Sequence, residues 1–284
     1  MLSKIYHENS EYNLYLILLL GKFIYNMEKY KIKKIYQMIK HNKEDEHIIN
    51  YISKNFSRNE TKYYESTKRA ENISNILYYF LNNTTAQKTH IKSNVIEKRI
   101  EKYLDVGCNN GSITVKFGKK MNLNEDSIYG IDVEMFTQQK IIPVKGFNFT
   151  YYDGYHMPFS DNYFDLITCR MVLHHVEHLE KIINEICRVI KLNGLLIIKE
   201  HDVCSFLVEW LTYIEHMLYD VTEYQIKYED FIKTYKQYTF SKDELIKLLN
   251  KYGFELLKIT DEHIIKKYPT RHYYIMFKKT FISK

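Results

Sequence analysis

Along the first 98 positions apolar residues recur at intervals of three and four, the spacing of a helix face, and strand-like alternation is almost absent. The runs EYNLYLILLLGKFIYNMEKYKIKKIYQMIK (Glu11 to Lys40) and ESTKRAENISNILYYFL (Glu65 to Leu81) carry this spacing. The polar stretch NNTTAQKTHIKSN, from Asn82 to Asn94, reads as a linker. From Glu101 short apolar runs alternate with helical periodicity, which predicts strands at 102–106, 127–132, 147–151, 163–169 and 194–200. Helices are predicted near 111–122, 134–140, 172–176 and 178–191. Such alternation builds a parallel sheet with helices on both faces. A further helix, SKDELIKLLNKYG, starts at a capping box of Ser241 and Glu244 and stops at Gly253. The last two apolar runs, FELLKIT and HYYIMFKK, have only a short turn region between them and are predicted to pair antiparallel. The chain thus divides into a helical N-terminal extension, 1–98, and an α/β domain, 99–284.

At 284 residues the chain buries a full core without a metal or disulfide to hold it. Its four cysteines, Cys108, Cys169, Cys187 and Cys204, form no CxxC pair, the usage of a reducing, cytoplasmic compartment. Lys and Arg number 41 against 35 acidic residues, a mild excess of +6 that permits a phosphate-rich partner without demanding one. Tyrosine, lysine, isoleucine and asparagine are abundant everywhere, the mark of AT-rich coding, so a Lys/Tyr-rich patch says little about RNA. The run LYLILLL, Leu14 to Leu20, is far short of the ~20 residues that span a bilayer, and a buried helix is expected there rather than a membrane segment.

The chemistry concentrates in YLDVGCNNGSIT, residues 103–114, which holds two of only nine glycines. Asp105 is placed at the carboxyl end of the first strand, and Gly107 to Gly111 turn the chain into the first helix. Ligands of open α/β sheets lie at that edge. Gly107 allows a tight turn and close ligand approach, Gly111 allows the helix start to pack closely, and Asn109 tolerates a positive φ. Asp132 ends the second strand in YGID, about twenty residues on, where a carboxylate accepts the hydroxyls of a ribose. Asp153, in YYDGYHMPF, ends the third, placed to accept from an adenine amino group with the Gly154 backbone beside the ring.

This ordered set, followed by PFSDNYFDLITCRMVLHHVEH and ICRVIKLNGLLIIKEHD, resembles the class I S-adenosylmethionine-dependent methyltransferases over roughly Tyr103 to His201. The resemblance implies a Rossmann-like, seven-stranded, mostly parallel sheet with an antiparallel last strand, and S-adenosylmethionine as cofactor. It implies that Asp105, Gly107, Cys108, Asn109 and Gly111 cradle the methionine part, Asp132 with Val133 the ribose, and Asp153 with Gly154 the adenine. Cys169, Arg170 and Leu173 then border the sulfonium end. Asn109 and Asn193 stand where the family has glycine.

Methyl transfer mainly requires a nucleophile held in line with the methyl carbon. Glu200, His201 and Asp202 close the fifth strand, and His201 is the expected base with Glu200 orienting the acceptor. His174 and His178 are four apart on an expected helix, but without a visible third ligand no metal is expected. The following helix, CSFLVEWLTYIEHMLYDV, puts Trp210, Ile214 and Leu218 on one buried stripe. It stands where the resembling family places its acceptor lid, which makes His216 and Tyr219, with His174 and His175, substrate candidates. Three functions fit: methylation of RNA, including an mRNA cap, placed first on the basic balance, Lys29 to Lys40 and STKRA; methylation of a small molecule; and an inactive subunit that binds a partner, a role open to the N-terminal helices in any case. A cap ribose mechanism wants an aspartate after the fourth strand, where Cys169 and Arg170 stand.

Overall fold

The computed structural model describes residues 62–82, 99–133, 142–223, 226–261 and 270–281, with isolated positions between 34 and 51. The chain order is α1 (Lys62–Asn82), β1 (Tyr103–Val106), α2 (Ser112–Lys120), β2 (Ile128–Val133), β3 (Asn148–Tyr152), β4 (Phe164–Arg170) and α3 (Leu179–Val189). It continues with β5 (Ile190–His201), α4 (Phe206–Glu223), α5 (Tyr228–Thr234), α6 (Lys242–Lys251), β6 (Phe254–Asp261) and β7 (His272–Lys279). The strands make one seven-stranded sheet in the order β3-β2-β1-β4-β5-β7-β6. Neighbours from β3 to β5 are parallel, while β7 runs antiparallel to both β5 and β6. The α/β sheet expected from the alternation is therefore present, with the reversed last strand.

Because both faces are covered, the inner strands β1, β4, β5 and β7 are buried at nearly every position instead of at alternate ones. Leu104 and Val106 of β1, Ile167 and Cys169 of β4, Leu196 and Ile198 of β5 and Ile275 and Phe277 of β7 pack with α3 and α6. Their neighbours in sequence, Tyr103, Leu166, Leu195, Ile197, Tyr274 and Met276, form the opposite core with Phe117 of α2 and Leu77, Phe80 and Leu81 of α1. The last helix of the N-terminal extension is thus built onto the sheet, and Glu71 of α1 also pairs with Lys116 and Lys120 of α2 at 3.2 and 2.7 Å.

Several predicted elements change length for local reasons. The helix expected at 172–176 is only a 3-10 turn, Leu173–His175, whose first backbone N–H groups donate to a side chain from β5. β5 starts at Ile190, four residues early, since the β4–β5 pairing shifts register between Phe164 and Leu166 and Asn193 adopts a φ of +64°. The capping box at Ser241 and Glu244 forms as expected and starts α6. The helix predicted at 134–140, the run Leu14 to Leu20 and most of the predicted linker lie outside the described residues. Among the described residues no helix is long and apolar enough to cross a membrane.

Candidate functional site

The first loop leaves β1 with Gly107 and Cys108 both donating to the Ile131 carbonyl, at 2.9 and 3.1 Å, which ties it to the end of β2. Gly107 (φ +69°), Asn109 (φ +50°) and Gly111 (φ +78°) all take the left-handed conformation that bends the chain into α2. A Cβ on Gly107 would lie 2.1 Å from Val172 Cγ2, and one on Gly111 would lie 2.1 Å from the Phe147 ring. The missing side chains are therefore demanded by the protein's own packing, beyond any ligand. Asn110 closes the helix entry by accepting from the Ser112 backbone and hydroxyl.

Asp105, assigned to the cofactor by resemblance, is fully buried below the loop. Its two oxygens accept from Thr114 and Thr168 hydroxyls, both at 2.6 Å, and Arg170 approaches to 3.5 Å. Its carboxylate thereby fastens α2 to β1 and β4, so that it shapes the loop from beneath. Burial would favour neutral Arg170, but Asp105 beside it raises its pKa and keeps the buried guanidinium charged. Arg170 Nε is buried with no acceptor. Cys108 is buried, and its thiol pKa is pushed up by burial first and then by Asp105 and Asp132.

Asp132 holds the loop from the side, accepting from Asn109 N at 2.6 Å and Val133 N at 2.8 Å, one bond on each oxygen. Partial burial raises its pKa, and each oxygen keeps accepting capacity. Val133, 39 % exposed, presents an apolar surface next to Gly154. Asp153 is more committed than the sequence suggested. It accepts from Tyr155 N, His156 N and His156 Nδ1 at 2.7–2.8 Å, and this bonding, His156 foremost, lowers its pKa to about 2.

Beyond the sheet edge the structure assembles a cluster of imidazoles. Glu200 is fully buried and spends its carboxylate on the turn after β4: one oxygen accepts from Val172 N and Leu173 N, the other from His174 Nδ1 at 2.5 Å. Burial opposes the charged form, yet His174 and the two N–H groups bring its pKa below the ordinary value. Glu200 therefore positions the turn, whereas the sequence reading had it orienting an acceptor. His201, expected as the base, is only 2 % exposed. Its Nδ1 donates to the Thr270 carbonyl at 3.0 Å, which leaves Nε2 as a buried lone pair without a donor. Burial first, then His272, His174 and His216, push its pKa far down. A solvent-facing base is not what His201 offers.

His174 joins His175 and His216, with ring centroids 4.1 and 4.9 Å away, and does not join His178, which precedes α3 and packs on Tyr155. His216 is held by Nδ1 donation to Thr212 one turn back on α4, and Tyr219 lies half-buried one turn further along. Trp210, Ile214 and Leu218 are buried as the apolar stripe required. Thr114, Thr168, Val172, Tyr235 and His272 were missed by sequence reading. His272 had a signal in retrospect: the antiparallel register of β5 and β7 sets it opposite His201.

The site has groups that fit S-adenosylmethionine: carboxylate capacity at Asp132 to accept from ribose hydroxyls, a buried guanidinium N–H without an acceptor at Arg170 to donate to a carboxylate, and a loop bent at Gly107 and Asn109. Residues 104–198 match the family model described as a methyltransferase domain. An uncharacterised methyltransferase of Schizosaccharomyces pombe is 30 % identical over 120 residues, 38 % of this chain and 42 % of that protein. A demethylmenaquinone methyltransferase of Staphylococcus saprophyticus is 23 % identical over 199 residues, 66 % of this chain and 84 % of that protein. The crystal structure of YcgJ from Bacillus subtilis superposes with a TM-score of 0.45 at 16 % identity, covering 65 % of this chain and 94 % of that one. The chain thus spans under half of the yeast relative's length. Sheet order, the bent first loop with its acidic partners and the family match agree that residues 104–198 are a methyltransferase domain of the class I S-adenosylmethionine-dependent type.

Proposed function

We propose that this chain transfers a methyl group from S-adenosylmethionine to a small acceptor placed beyond the ends of β4 and β5. The observation that carries the acceptor class is the cover over that edge. Tyr238 N donates to the His174 carbonyl at 2.9 Å, Thr239 bonds Glu209 of α4, and Tyr235 packs on the His175 and His216 rings. A roof at van der Waals distance suits a compact acceptor better than an extended polymer.

When bound, the sulfonium supplies both the electrophilic methyl group and its leaving group. What the protein's own residues do is hold and exclude. Asp105, Thr114 and Thr168 fix the floor of the first loop, and Asp132 its side. Glu200 fixes the 172–174 backbone, so the turn that faces the acceptor cannot drift from the cofactor loop, against which Val172 packs at Gly107. Burial with neighbouring imidazoles lowers the His216 pKa to about 4, so its ring is neutral near pH 7. A neutral ring whose Nδ1 is tied to the Thr212 carbonyl favours an acceptor that brings its own nucleophile.

The test is a titration with S-adenosylmethionine followed by transfer of labelled methyl groups to small acceptors and, in parallel, to capped and uncapped RNA. Cofactor binding with transfer to a small acceptor supports the reading. Transfer to RNA alone overturns the acceptor class, and absence of cofactor binding overturns the activity.

A further inference from the structure

Two imidazoles in the cluster present ring nitrogens to one another with nothing obvious to hold them there. His174 Nε2 and His216 Nε2 are 3.0 Å apart. The other nitrogen of each ring is already fixed: His174 Nδ1 points at the Glu200 carboxylate and His216 Nδ1 at the Thr212 carbonyl. Both acceptors lack a proton to give, so both Nδ1 atoms carry one, and the two Nε2 atoms would meet as bare lone pairs. Something positive must sit between them, either one shared proton or a metal ion. A third imidazole stands ready, because a ring nitrogen each of His174, His175 and His216 lie within 4.8 Å of one another.

We infer that His174, His175 and His216 form a binding site for a divalent transition metal such as Zn2+. Imidazole nitrogens select zinc-like ions over Mg2+ or Ca2+. Zinc binds imidazole at about 2.0–2.1 Å, which two nitrogens at this separation accommodate with a small outward movement. The outer contacts have the form that metal-ligating histidines take, with one ring N–H donated to a carboxylate or backbone carbonyl so that the opposite nitrogen faces the ion. His174 is buried and His175 is exposed, so the site is rooted in the protein on one side and open on the other. Three protein ligands and an open position describe a site that takes a substrate oxygen. With three neutral ligands the ion keeps its full charge, which suits an acceptor bearing an anionic or ionisable oxygen such as an enol, phenol or carboxylate. The neighbouring set His201, Glu215 and His272 meets the same distance condition but is closed from solvent, with His201 at 2 % and His272 at 7 % exposure, and offers no position to a substrate.

Binding of the ion stands on the histidine geometry alone; only its use on an acceptor rests on the methyltransferase reading. The experiment is to equilibrate the purified chain with Zn2+ or Co2+, remove excess, and measure bound metal by mass spectrometry with the Co2+ visible spectrum as a second readout. About one ion per chain is expected in the parent and in His178→Ala, with at least tenfold weaker binding in His175→Ala and His216→Ala. The exposed His175 makes its variant safe for folding, and S-adenosylmethionine titration of every variant reports whether the sheet is intact. No metal in a parent that binds S-adenosylmethionine overturns the inference and leaves one proton shared between His174 Nε2 and His216 Nε2. Loss of metal in His272→Ala but not in His175→Ala moves the ion to the closed set and also overturns it. Metal binding without S-adenosylmethionine binding sinks the methyltransferase reading while the metal site stands.

Discussion

Glu200 at the end of β5 and His174 in the turn after β4 meet at 2.5 Å, and neither is more than 2 % exposed. The contact joins two elements that are 26 residues apart in sequence but adjacent in the sheet. A buried carboxylate with a partner and two further N–H donors is stable in place, whereas removal of one side leaves the other uncompensated. Glu200→Ala strands Val172 N, Leu173 N and His174 together, and about 3–5 kcal/mol of stability is expected to go with it. Glu200→Gln keeps an oxygen for the two backbone donors, and about 1–2 kcal/mol is expected. Urea unfolding of both variants measures the difference; equal losses would mean that the carboxylate does not hold the turn.

The contact between the first loop and that turn gives a second prediction. Gly107→Ala meets two obstacles, a Cβ 2.1 Å from Val172 Cγ2 and a φ of +69°. The conformation costs an L-residue about 1–2 kcal/mol and the clash about as much again. Val172→Ala removes the clash but leaves the conformation. The double variant should therefore be more stable than Gly107→Ala alone, which a double-mutant cycle by thermal unfolding reads directly. Additive losses would show that the two residues do not press on each other.

How much of this was legible in the sequence follows from the range of the interactions. The loop from Asp105 to Gly111 and the acids at Asp132 and Asp153 could be read because strand ends and turns are local, and the alternation of strands with helices pointed to the parallel sheet. Contacts fixed by register could not be read the same way. The pairing of Glu200 with His174 depends on how β4 and β5 align, an alignment shifted by the irregularity between Phe164 and Leu166. The spacing of His174 and His178, four apart, was read on a regular helix, and the 3-10 turn brings His174 to His216 instead. Asp105 shows the same limit from below, since a residue that reads as a ligand contact in a motif is held by Thr114 and Thr168.

The two acids read as cofactor contacts are predicted to differ. Asp132 accepts one backbone N–H on each oxygen and keeps capacity for a ligand, while Asp153 is occupied by three donors from Tyr155 and His156. A lost hydrogen bond to a charged group costs about 1.5–3 kcal/mol, a ten- to hundredfold change in affinity. Asp132→Ala should weaken S-adenosylmethionine binding by about that factor, and Asp153→Asn by less than about threefold on the same energy scale. Calorimetric titration decides, and the reverse order would restore the adenine contact to Asp153.

Asp220, on the half-buried side of α4, should make stability fall as pH rises. Burial raises its pKa from 3.8 to about 6. Between those values the folded chain holds a proton that the unfolded chain has lost, so the folded state binds more protons and its stability declines with pH. The cost is absent below the unfolded value and complete above about pH 6. The full shift corresponds to about 3 kcal/mol, and because water still reaches the carboxyl about 1–2 kcal/mol is expected. Asp220→Asn removes the titrating group, so the variant should be more stable than the parent at pH 7.5 and nearly equal to it at pH 4. Urea midpoints at the two pH values test this, and a variant no more stable at pH 7.5 would show that the carboxylate is solvated in the folded chain.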